Sequence, residues 1–190
     1  MAINYKKCPA CASLNVINIL YGMPNEEAFL AAEKGEIKLG GCVISGFDPE
    51  YYCKDCEHEW DMQAAIDHAY NEITGIEASV GGYFGSSYQV DIDRKRQTLT
   101  WSSQVEGTEE YEEQVLAPLA LDGFIEELKW LELLDWKSKY VKPGVMDGTQ
   151  WSVEIRRTGR TLKKYGSNQY PEEWEAFCSL IRSLSGKEFR

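Results

Sequence analysis

Cys8-Pro9-Ala10-Cys11 and Cys53-Lys54-Asp55-Cys56 are the stretches whose reading decides how the first third of this chain folds. Each is a C-x-x-C pair, and two such pairs can supply four thiolates to one tetrahedral Zn²⁺. The expected ligands are Cys8, Cys11, Cys53 and Cys56. A lone pair also serves thiol–disulfide exchange, whereas two pairs flanking aromatic and β-branched segments favour a metal. Four thiolates leave no coordination position open, so the ion expected is structural rather than catalytic. Cys11 and Cys53 are separated by 41 residues, more than the roughly 15–20 of compact sites. Closure entropy grows only with the logarithm of loop length, so the excess costs about 0.7 kcal/mol. A structural zinc ion contributes roughly 10–16 kcal/mol in small zinc peptides, which outweighs that cost.

Working outward from the pairs, Asn15–Tyr21 is β-branched and apolar and reads as a strand ending at Gly22. Asn25 is placed to cap a short helix whose first turn holds Glu26 and Glu27, and Gly35 stops it. Glu36–Leu39 reads as a short strand running into Gly40-Gly41-Cys42. A polar turn over 45–50 leads to Tyr51-Tyr52 and the second pair, and Trp60 closes the unit. Ile66, Ala69, Tyr70 and Ile73 then recur at helical spacing, giving a linker helix over 61–75 that ends at Gly75.

Cys-Pro-x-Cys near the start, followed by Cys-x-x-Cys-x-His-x-Trp, resembles the zinc-ribbon family over residues 1–60. The resemblance implies a small β domain around a Cys₄ zinc site. Zinc ribbons usually carry Gly directly after each pair, where this chain has Ala12 and Glu57. A non-glycine residue in the left-handed region costs roughly 1–2 kcal/mol. More loosely, Tyr21-Gly22-Met23-Pro24, Glu26-Glu27, Gly35-Glu36 and Leu39-Gly40-Gly41-Cys42 resemble a group of bacterial proteins of unassigned role built on such a ribbon. That resemblance implies a bacterial, cytoplasmic protein and carries no activity.

The remainder, 76–190, contains an internal repeat. Tyr88-Gln89-Val90-Asp91-Ile92-Asp93-Arg94 and Trp151-Ser152-Val153-Glu154-Ile155-Arg156-Arg157 match at an offset of 63 residues, as do Thr98-Leu99 and Thr161-Leu162. Both copies alternate apolar and polar side chains, as half-buried strands do, and both turn back through a short polar segment. Each hairpin precedes a helical stripe: Leu121, Phe124, Ile125, Leu128, Leu131 and Leu134, then Trp174, Phe177, Cys178, Ile181 and Leu184 after Pro171. The expected fold class is α+β: the ribbon-like unit, then a ββα-ββα antiparallel sheet of about four strands with helices on one face.

Charge narrows the partners. The formal net charge is −11, of which residues 1–74 carry −7 with no arginine. Nucleic-acid surfaces need clustered Lys and Arg, so DNA or RNA binding is disfavoured and a basic protein partner fits better. The apolar runs are too short and interrupted to span a bilayer. The early Cys-Pro-Ala-Cys precludes a secretory h-region, so a reducing cytoplasm is the expected compartment.

No catalytic constellation emerges. Residues 69–190 contain no histidine, which removes Ser-His-Asp or Cys-His chemistry from that part. The run Glu106, Glu109, Glu110, Glu112 and Glu113 reads as a solvated loop or helix start. Gly81–Ser87 reads as a strand with a bulge or turn, because it lacks the Gly-Lys-Ser/Thr of a phosphate loop. His58 could replace one cysteine as a ligand, though it is expected rather to order or shield the metal site; His68 is expected to be solvated and Cys178 to be core. Cys42 admits three readings: a small buried residue at a tight turn, a reactive thiol of an enzyme or a redox or metal sensor, or a fifth potential ligand beside the ribbon.

Overall fold

The computed structural model of the protein describes residues 3–46, 48–82, 85–144 and 148–190. They form two compact units, 3–69 and 70–190.

In the first unit, β1 (Val16–Tyr21) leads through α1 (Glu26–Glu33) to β2 (Ile37–Gly41), followed by β3 (Tyr51–Cys53) and β4 (Glu59–Trp60). The strands make one sheet in the order β2-β1-β3-β4. β1 pairs antiparallel with β3, and β3 with β4. β2 is parallel to β1, and a parallel neighbour demands a crossover, which α1 supplies. That crossover accounts for much of the long interval between the cysteine pairs. Asn25 caps α1 by accepting the Ala28 N–H at 2.9 Å, and Gly35, at φ 71°, follows its C-terminus. The boundary between the units falls within α2 (Met62–Asn71).

The second unit is built on a seven-stranded sheet. Its strands are β5 (Ile73–Gly82), β6 (Ser87–Asp93), β7 (Thr98–Val105), β8 (Thr108–Val115), β9 (Lys139–Val141), β10 (Thr149–Arg157) and β11 (Arg160–Ser167). The order is β8-β7-β6-β5-β10-β11-β9, antiparallel except for β9 beside β11. The helices α3 (Pro118–Trp130) and α4 (Trp174–Ser185) follow the two halves.

The fold is α+β, with a larger sheet than the four strands expected. The repeated hairpins are present as β6–β7 and β10–β11, but they do not pair with each other. β5 stands between them. Ala78 faces Val90 on one side and Val153 on the other, and Ile76 likewise faces Ile92 and Ile155. The 63-residue repeat therefore places equivalent residues on either side of one strand. Residues 73–75, expected at the end of a helix, open this strand instead. The acidic run expected as a loop or helix start forms β8. It is held at the sheet edge by a two-residue turn, Glu106-Gly107, both with positive φ. In the glycine-rich segment, Gly81 and Gly82 end β5 and Ser87 begins β6. Tyr83, Phe84 and, in the earlier polar turn, Phe47 lie outside the described residues.

Alternation makes the sheet two-sided. Ile76, Ala78, Val80, Val90, Ile92, Leu99, Trp101, Trp151, Val153 and Ile155 are buried on one face. α4 packs there through Trp174, whose ring centroid lies 4.6 Å from that of Trp151, and α3 lies against α4. Trp136 and Phe177 extend the aromatic core, their centroids 5.5 Å apart. The opposite face is polar, crossed by Gln89–Glu77 at 2.9 Å, Ser79–Ser152 at 2.8 Å and Lys163–Glu154 at 2.6 Å. An antiparallel sheet with one packed and one solvated face gives this pattern. Gly75 belongs to it: the Arg156 side chain passes over that position to reach Asp91 and the Ile92 carbonyl, and a Cβ there would collide with the guanidinium.

Candidate metal centre

The turns at the two cysteine pairs are built alike. In the first, Ala12 N–H donates to Cys8 O and Cys8 N–H to Ser13 O, both at 2.9 Å. In the second, Glu57 N–H donates to Cys53 O and Cys53 N–H to His58 O, again at 2.9 Å. The residue after each pair is left-handed, with φ 60° at Ala12 and 62° at Glu57. This conformation lets the chain curl so that backbone N–H groups face the sulfurs. The Ser13 N–H faces the Cys11 sulfur, and the His58 N–H faces that of Cys56.

The sheet brings the turns together. Val16, beyond the first pair, is opposite Cys53 in the β1–β3 register. Cys8 Sγ lies 3.6 Å from Cys56 Sγ, and Cys11 Sγ 3.6 Å from Cys53 Sγ. All four sulfurs fall within 4.8 Å of one another. A disulfide would require about 2.05 Å. A tetrahedron with metal–sulfur bonds of about 2.3 Å has edges of about 3.8 Å. The four cysteines therefore form a cluster of the size that holds a metal ion.

Close packing sets two of these thiols apart in their titration. At Cys53, burial opposes the thiolate while the Asp55 and Cys56 N–H groups and the Cys11 and Cys56 thiols favour it, bringing the pKa down to about 7. At Cys56, the His58 N–H favours the thiolate, but the Cys11 sulfur, burial and the Cys8 and Cys53 sulfurs outweigh it, pushing the pKa up to about 12. The neighbouring sulfurs thus oppose ionisation at Cys56, and a bound cation would relieve that opposition.

Around the sulfurs, Cys8, Cys53, Trp60 and Ala65 form a small buried cluster, with Tyr5, Val16, Tyr51 and Ala64 packed against it. Trp60 donates its indole N–H to Tyr5 O at 3.0 Å and stacks with Tyr51 and His58 at centroid distances of 5.7 and 5.9 Å. The sequence reading missed Asp55, which ties the two pairs together. Its carboxylate accepts from Ser13 Oγ at 2.5 Å and Asn15 Nδ2 at 2.7 Å, and these bonds hold its pKa below the usual carboxylate value. Nothing in its position between Cys53 and Cys56 announces that role, because its partners come from the other knuckle.

The remaining candidates fall outside the cluster. Cys42 is exposed, which overturns the buried-turn reading of that residue. Cys178 is buried in α4, and burial raises its pKa to about 12. His58 lies beside the cluster through its stack on Trp60. His68 is half-buried on α2 rather than fully solvated.

The chain matches no protein-family model, and it matches none of the curated proteins. Among the described residues, no helix is long and apolar enough to cross a membrane.

Proposed function

We propose that this chain is a metal-stapled protein-binding module: a zinc-ribbon-like N-terminal unit followed by an α+β unit, in a bacterial cytoplasm. Zn²⁺ is held by Cys8, Cys11, Cys53 and Cys56 and stabilises the fold around it. The observation that carries the metal reading is the convergence of all four sulfurs within 4.8 Å of one another, with cross-pair distances of 3.6 Å and matched left-handed turns at Ala12 and Glu57. All-sulfur ligation favours Zn²⁺ over the hard cations Mg²⁺ and Ca²⁺. Four thiolates fill the coordination sphere, so the ion would supply structure rather than a bound water for hydrolysis.

Protein binding is supported by charge and exposed apolar side chains. The net charge of −11 opposes contact with phosphate backbones, and the first unit displays several large apolar side chains to solvent. A thiol-based enzyme or sensor is the second reading, and it draws support from the exposure of Cys42.

Elemental analysis of protein purified without added metal tests the first part. About one zinc per chain is expected, with a chelator unfolding the first unit. A folded, metal-free protein would end the proposal. The binding part is tested by co-precipitation with the metal-loaded chain as bait, where recovery of no protein above control would count against it.

A further inference from the structure

α1 contributes no buried residue. Its half-buried side is Ala28, Ala31 and Ala32, while Phe29 and Leu30 remain 53% and 48% exposed. A helix that backs onto its sheet with alanines and turns its large apolar side chains to water lacks a partner on its outer face.

The topology adds further apolar side chains at one end of this helix. β1 and β2 are parallel and finish together, Tyr21 pairing with Gly41. The loops that follow them leave from the same end of the sheet, and α1 starts there. Met23, Val43 and Ile44 lie on those loops, 95%, 84% and 70% exposed. The Ile44 Cδ1 lies against Gly22, 3.8 Å from where a Cβ would stand. Phe29 is only about 5 Å along the helix from Glu26, at 1.5 Å per residue. Single exposed apolar residues are ordinary, but several contributed by one end of one small sheet mark an interaction surface.

Acidic residues flank the group. Glu26, Glu27 and Glu33 surround Phe29 and Leu30 at helical i±3 and i±4 spacing, against the single base Lys34 at the C-cap. We propose that this outer face of α1, with the adjoining loops, docks a basic amphipathic helix of another protein. Its apolar stripe would cover Phe29, Leu30, Met23 and Ile44, and its Lys and Arg would meet the flanking carboxylates. The surplus of carboxylates over Lys34 disfavours a second copy, which would set three acids against three acids. It also decides against an anionic membrane surface. The assignment rests on the protein-binding reading above and names the surface and the chemistry of its partner.

The test uses the full chain loaded with zinc and, as probe, a fluorescent 18-residue peptide patterned as a Lys/Leu amphipathic helix. Its controls are a Glu/Leu peptide of the same pattern and a Lys/Ser peptide with the same charge. Phe29→Glu/Leu30→Glu removes the apolar face while adding negative charge. The expected result is saturable binding of the Lys/Leu peptide alone, weakened at least tenfold by that variant and several-fold by Glu27→Gln/Glu33→Gln. Equal or tighter binding by the Phe29/Leu30 variant would mean charge alone attracts the peptide and would overturn the proposal. So would dimerisation that the variant abolishes, adsorption to anionic vesicles, or no peptide binding at all. Met23→Asp/Ile44→Asp serves the same comparison should the helix variant fail to fold. Co-precipitation separates the two levels of inference. A partner retained equally by wild type and variant leaves the binding module standing and removes its assignment to α1, whereas no partner for either removes both.

Discussion

Ala12 and Glu57, 45 residues apart in the chain, occupy the same left-handed backbone state, φ 60° and 62°, each directly after a cysteine pair. Both turns need that conformation, and neither residue favours it. Replacing each with Gly relieves roughly 1–2 kcal/mol of strain and restores roughly 0.5–1 kcal/mol of unfolded-state entropy to be lost on folding. Ala12→Gly and Glu57→Gly are each expected to stabilise the metal-loaded first unit by about 0.5–1 kcal/mol. Denaturant unfolding in the presence of metal checks this, and a loss of stability in both variants would contradict the strain argument.

Cys42 is exposed and Cys178 buried, while the other four of the six cysteines form the sulfur cluster. Titration of the native zinc-loaded protein with a thiol reagent is therefore expected to show one fast equivalent. Cys42→Ser should remove it, and a chelator should release four more. Fast reaction of several thiols before chelation would show that the cluster is not closed by metal.

Lys164 is buried opposite Val153 and donates to the carbonyls of Leu134 and Trp136. Burial lowers its pKa to about 8, against about 10.4 in an unfolded chain. Below pH 8 both states carry the proton. Between pH 8 and about 10.4 the unfolded state binds more protons, so stability rises with pH across that window. A gain on the order of 2–3 kcal/mol is expected from this residue. Unfolding free energies at pH 7.5 and 10 should differ accordingly, and Lys164→Met should flatten the difference while losing the two carbonyl contacts.

Arg157 pairs with Glu72 at 2.6 Å, their side chains 5% and 19% exposed. Burial pulls the Arg157 pKa down while Glu72 supports its charge. Glu72→Gln removes the carboxylate that faces this buried guanidinium and should destabilise the second unit by about 3–5 kcal/mol. Glu72→Leu/Arg157→Met should cost clearly less than the single change, which thermal melts of the two variants would show.

The legible parts were those where local chemistry and final environment agree. The cysteine spacing announced its cluster, Asn25 and Gly35 bracketed α1, and the alternation of Val90, Ile92, Val153 and Ile155 marked two hairpins. β5 escaped because Ile66, Ala69, Tyr70 and Ile73 carry helical spacing up to Gly75, where a glycine serves a crossing arginine rather than a helix end. β8 escaped because glutamates are poor strand formers. Its hairpin turn and the edge of β7 override that preference. Asp55 was invisible for a different reason: its partners Ser13 and Asn15 are distant in sequence.

The placement of β5 also bears on how the chain is made. Its β6 neighbour follows closely, but Ala78 meets Val153 only after 75 further residues have been synthesised. At roughly 5–20 residues per second, one edge of β5 stays without its strand for about 4–15 s on the ribosome. Glu77 and the glycines at 75, 81 and 82 lie along that waiting edge. A charge and weak strand formers are what discourage pairing with a neighbouring nascent chain, so a composition poorly suited to a central strand would also disfavour such pairing while β5 waits.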